Sequence, residues 1–100
     1  MRTLAIELPL DEIHAFCRWH PIRKLALFGS VLRPDFRPDS DVDVLVEFDP
    51  AHVPGLSFFA MQDELGGILG RRVDLNTPRD ISPRFREEVV RGTEVVYGDG

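Results

Sequence analysis

Cysteine occurs only once, at position 17, and positive charge is in deficit, with 12 Lys and Arg against 17 Asp and Glu for a formal net charge of −5. A single cysteine excludes an internal disulfide and suits a reducing, cytoplasmic setting. The acidic balance argues against DNA or RNA as the main ligand, because affinity for a nucleic-acid backbone comes from clustered Lys and Arg. No apolar run is long enough to span a bilayer, and the N-terminus lacks a basic region leading into a long apolar stretch, so neither membrane nor export is expected. Repeats and low-complexity segments are absent as well. What remains is an ordinary globular composition, 43% hydrophobic and 29% charged in 100 residues, read as a single domain over 1–100. A chain this short buries roughly two-thirds of its unfolded surface, so an active site would be an open cleft rather than an enclosed cavity.

Apolar periodicity places the elements. LDEIHAFCRWH, residues 10–20, sets Leu10, Ile13, His14, Phe16 and Cys17 on one side of a helix that His20-Pro21 ends. KLALF, 24–28, stopped by Gly29, reads as a buried strand, and the β-branched VDVLVEF, 42–48, as a second. LSFFAMQDELGGILG, 56–70, has helical spacing, although Gly66 and Gly67 each cost about 1 kcal/mol relative to Ala. RRVDLN, 71–76, alternates as a third strand. SPRFREEVVRG, 82–92, carries helix boundary signals at both ends, and EVVYG closes the chain as a short edge strand. The expected fold is α/β, a small mixed sheet with helices packed on one face and the other face open.

The open face is where chemistry is expected. Alternation puts Asp41, Asp43, Leu45 and Glu47 on one face of the second strand and Val42, Val44, Val46 and Phe48 on the other, with the valines under the helices. Asp41 and Asp43 then project together, roughly 7 Å apart at their α-carbons. Like charges so placed repel unless a cation lies between them, and an all-oxygen set suits Mg²⁺ or Mn²⁺. Asp74 joins them if the second and third strands are neighbours. Gly29 allows close backbone approach, Ser30 offers donors to phosphate oxygens, and Arg33 adds a forked positive charge. Acceptors for a metal beside donors for phosphate describe a site for a metal-bound nucleoside triphosphate.

Phe28-Gly29-Ser30, ten intervening residues, then Asp41-Val42-Asp43-Val44 resembles the signature of the DNA polymerase β-like nucleotidyltransferases. Length and loop wording are most similar to the minimal nucleotidyltransferases (MNT), which pair with HEPN proteins in toxin–antitoxin modules. The resemblance implies a mixed-sheet catalytic fold in which Asp41, Asp43 and Asp74 are catalytic metal ligands, Asp74 also helping to activate the incoming hydroxyl. It further implies that Gly29 and Ser30 bind the triphosphate of ATP, and that Arg33 matches an arginine of the loop. In many small members glycine follows that arginine, where Pro34 stands here. The implied activity is Mg²⁺-dependent transfer of AMP onto a hydroxyl, such as a tyrosine of a HEPN toxin, with a hetero-oligomer or a self-associated copy completing the cleft. The competing reading is a non-catalytic antitoxin that neutralises its partner by covering it. A template-dependent polymerase or tRNA-modifying enzyme would need a nucleic-acid-binding domain.

Other residues take structural readings. His14 belongs to a core margin, Cys17 is a small core hydrophobe, and no histidine spacing argues for zinc. Trp19, Phe58 and Phe59 read as core, with one such aromatic left over for a partner surface. Asp35, Asp39, Glu47 and Asp49 read as a solvated rim.

Overall fold

Among the described residues two α-helices and four strands follow from these patterns: α1 Leu10–Trp19, β1 Ile22–Phe28, β2 Val42–Phe48, α2 Ser57–Leu69, β3 Val73–Asn76 and β4 Glu94–Tyr97. A computed structural model describes residues 8–33, 37, 40–52, 54–78 and 92–98, without the side chains of Ser30 and His52. The helix expected over 82–92 falls outside these residues, apart from a turn at Gly92. Pro34, Asp35 and Asp39 lie outside them too.

The strands form one sheet in the order β3-β2-β1-β4. Pairing is antiparallel for β1 with β2 and with β4, and parallel for β2 with β3, so the sheet is mixed as expected. α1 carries Asp11 and Glu12 in its first turn and Arg18 in its last, charges that complement the helix dipole. Its end comes where His20 turns extended ahead of Pro21, the His20 amide still donating to the Phe16 carbonyl. α2 closes on Gly70, whose φ of 66° is left-handed, and the Arg71 amide donates to the Gly66 carbonyl at 3.1 Å, a glycine-based helix stop. Gly66 is inside the helix for a reason of space: a Cβ there would stand 3.0 Å from the Arg71 carbonyl oxygen.

Ile13, Phe16 and Cys17 of α1 and Met61 and Leu65 of α2 pack with Leu25, Leu27, Val42, Val44, Val46, Val73 and Leu75 of the sheet. The three β2 valines are fully buried, so the expected alternation holds on that face. The opposite face corrects the expectation of an open surface. Leu45, placed there with Asp41 and Asp43, is buried, as is its β1 register partner Ala26. That face is therefore covered at Leu45 and accessible on either side of it, at Asp43 and at Glu47.

Burial pushes the Cys17 thiol up to about 12, Arg18 opposing only in part. Thiolate is the reactive form, so Cys17 is expected to resist a disulfide reagent at pH 8 in the native protein and to react fully in denaturant. Prompt native reaction would show that α1 lifts from the sheet. Trp19, expected in the core, is 81% exposed, because it sits on the α1 side away from Ile13, Phe16 and Cys17.

Candidate active site

Antiparallel pairing sets Phe28, the last residue of β1, opposite Asp43, and the chain then turns through a short 3₁₀ helix, Gly29–Leu32. Val31 is fully buried and pins this turn to the core. Gly29 has a φ of 77°, and a Cβ on it would lie 2.5 Å from Asp43 Oδ2. The backbone there favours glycine, and any side chain would have to displace the Asp43 carboxylate. The Gly-Ser turn thus rests directly against one carboxylate of the Asp-x-Asp pair, joining two motifs that are separated in sequence.

Parallel pairing does the same for the third carboxylate, because Asp43 and Asp74 are register partners on β2 and β3 and neighbouring strands run about 4.8 Å apart. Asp43 is held above the usual carboxylate range, first by burial, then by Asp74, then by Asp41. A half-buried acid with two negative neighbours lacks positive charge, and the donors are all hard carboxylate oxygens. The set fits a divalent cation chemically.

Asp41 departs from the expected convergence. The Val42 amide donates to the Arg72 carbonyl at 2.9 Å, which brings Arg72 alongside, and Arg72 Nε lies 3.5 Å from Asp41 Oδ1. Among the described residues no three His, Cys, Asp or Glu side chains are gathered closely enough to hold an ion as they stand. The structure therefore brings Asp43, Asp74 and Gly29 together and leaves Asp41 at the rim, paired with an arginine. Arg33 follows the turn, exposed, and among the described residues no ion pair joins it to these carboxylates. Arg72 was missed as a site residue because strand alternation gives its face but not its neighbour.

Sequence and structure comparisons identify the family of the chain. Residues 10–96 match the nucleotidyltransferase domain family. Protein adenylyltransferase MntA of Thermococcus cleftensis is 34% identical over 99 residues, covering 90% of this chain and 96% of that one. A solved structure described as a candidate minimal nucleotidyltransferase superposes with a TM-score of 0.71 at 35% identity, covering 85% of this chain and 86% of that one. A toxin–antitoxin structure containing AMP-PNP gives a TM-score of 0.73 at 23% identity, covering 92% and 75%. A tri-AMPylated Shewanella oneidensis HEPN toxin in complex with MNT antitoxin gives 0.65 at 22%, covering 90% and 70%. The last two are likenesses of fold. With a family match across nearly its whole length and a close relative in MntA, this chain belongs to the nucleotidyltransferase domain family and is one of its minimal members.

Proposed function

We propose that the chain transfers AMP from ATP to a hydroxyl on a HEPN-type partner protein, releasing pyrophosphate. The observation that carries this reading is the contact of the Gly29 turn with Asp43, beside Asp74. Support comes from the relative named as a protein adenylyltransferase and from the AMP-PNP and AMPylated-toxin complexes that share the fold.

In this mechanism the backbone of the Gly29-Ser30 turn binds the triphosphate, with Arg33 adding charge. The acceptor oxygen bonds to the α-phosphorus as the bond from that phosphorus to the leaving pyrophosphate oxygen breaks. The acceptor proton passes to the Asp74 carboxylate. Asp43 and Asp74, with Asp41, would hold a divalent cation, Mg²⁺ or Mn²⁺. A cation bound there supplies charge neutralisation for the triphosphate and the leaving group. Among the described residues no helix is long and apolar enough to cross a membrane. The test is transfer of label from α-labelled ATP to the co-purified partner in the presence of Mg²⁺. Absence of transfer, with pyrophosphate release at background, would overturn the proposal.

Arg72 supplies a separate prediction. It is an internal cation that a metal must displace from Asp41, in an exposed pair worth at most about 1 kcal/mol, or roughly fivefold in affinity. Arg72→Ala is expected to lower the Mn²⁺ dissociation constant by about 2–5-fold, read by electron paramagnetic resonance of free Mn²⁺. Unchanged Mn²⁺ affinity would remove Arg72 from this role.

A further inference from the structure

Asp74 sits inside β3, the four-residue strand at one edge of the sheet. Among the described residues no hydrogen bond or ion pair holds its carboxylate. Its place beside Asp43 is therefore set by the backbone of β3, and among the described residues that backbone has a strand on one side only. β2 pairs with it in parallel, next to the bond from the Val42 amide to the Arg72 carbonyl. The outer side borders a cleft of about 500 Å³ that Pro54, Phe58, Gln62 and Leu75 help to line, where Phe59, expected in the core, is 65% exposed. Edge backbone groups beside a cleft wide enough for water leave a short strand free to fray.

α2 holds that outer side at two points. Gln62 and Gly66 stand one turn apart on one face of the helix, and Arg71 and Leu75 are four residues apart on the chain returning from it. The Arg71 amide donates to the Gly66 carbonyl at 3.1 Å, and the Leu75 amide donates to Gln62 Oε1 at 2.9 Å. Asp74 lies between the two points. The first uses backbone groups that every residue but proline carries, whereas the second depends on one side chain. Backbone groups alternate sides along a strand, so with the Arg72 carbonyl turned to β2 the Leu75 amide faces outward, where Gln62 meets it. The Leu75 side chain is meanwhile buried in the core.

Resting on the proposed role of Asp74 as a cation ligand, we propose that Gln62 is a positioning residue that fixes Asp74 opposite Asp43 by clamping the outer edge of β3. It acts through Leu75 and touches neither substrate nor cation. Without its acceptor the Leu75 amide bonds to water in the cleft, and the fold survives. β3 is then held only by β2 and by the bond between Arg71 and Gly66. The carboxylates converge in a smaller fraction of molecules, and apparent cation affinity falls by that fraction although every ligand is still present.

The test needs neither ATP nor turnover. Gln62→Met keeps the length and bulk of the side chain but loses the acceptor, and Gln62→Glu keeps an acceptor. Both are compared with wild type as ¹⁵N-labelled full chains, first by amide hydrogen exchange without cation. Gln62→Met is expected to speed exchange at least about tenfold at Leu75 and at Val42, whose amide reports attachment to the β3 side, with Leu25 and Leu27 of β1 unchanged. Gln62→Glu is expected to keep Leu75 and Val42 near wild type. Mn²⁺ titration followed by electron paramagnetic resonance is then expected to give a dissociation constant about fivefold higher for Gln62→Met and no higher than wild type for Gln62→Glu. Faster exchange at Leu75 alone would reduce Gln62 to a local cap and overturn the proposal. Equal acceleration across β1, which marks general destabilisation, or unchanged Mn²⁺ affinity in a protein whose β3 had loosened would overturn it too. Mn²⁺ binding by neither wild type nor variant would sink the cation site of the proposed function, while the exchange pattern still decided whether Gln62 clamps β3.

Discussion

Asp43→Asn is expected to reduce AMP transfer by at least about 10²-fold, the scale on which one transition-state electrostatic partner is lost, while leaving the protein as stable as wild type or more so. Both halves follow from the same geometry. Asn keeps the shape of the side chain under Gly29 but removes the charge central to the set, since Asp43 is the β3-paired member that both Asp74 and Asp41 disfavour electrostatically. The stability half has a definite sign. Asp43 has a folded-state pKa above its unfolded value, so its ionisation costs stability. That cost is absent below the unfolded pKa, grows as pH rises towards the folded pKa, and is constant above it. At neutral pH the Asn variant escapes the cost, and thermal melts of the cation-free proteins should show it. Added Mg²⁺ should raise the midpoint of wild type more than that of the variant, since a ligand stabilises only the state that binds it. Transfer within a few-fold of wild type would remove Asp43 from the catalytic set. An inactive variant that still fully neutralised its partner in cells would favour the non-catalytic antitoxin.

Gly29→Ala should abolish most activity, by about 10²-fold or more, and a control glycine separates the cause. Gly29 and Gly70 both have left-handed φ, 77° and 66°, so alanine at either incurs a backbone penalty of about 1–2 kcal/mol. Around Gly70 there is nothing within 4 Å of a new Cβ, whereas at Gly29 that Cβ meets Asp43 Oδ2 at 2.5 Å. Gly70→Ala is therefore expected to lose stability with transfer little changed. Gly29→Ala should lose stability and, because the turn or the carboxylate must shift, activity as well. Equal activity in the two variants would mean that the contact between turn and carboxylate has no part in the reaction.

Local pattern was enough for much of the framework. Helix periodicity and the His20-Pro21 stop placed α1, β-branched alternation placed β2, and α2 formed across its two glycines, Gly66 filling a place where a Cβ would press on the Arg71 carbonyl. Alternation also put the valines in and Asp43 out. It could not foresee that Leu45 on the Asp43 face would be buried, since alternation sorts residues between faces but does not say what covers a face. Trp19 failed in the opposite way: a large ring was expected inside, but helical phase turned it outward.

The sequence by itself determined which residues could do this chemistry: a glycine-serine turn, an Asp-x-Asp and a later aspartate, each fixed by spacing and side-chain type. Only the tertiary structure decided which of them meet. Strand order and register put Asp43 opposite both Phe28 and Asp74, joining residues far apart in the chain, and the same β2–β3 pairing carried Arg72 to Asp41 and kept that carboxylate at the rim. Contact across strands depends on pairing partners and register, which no single strand's pattern contains.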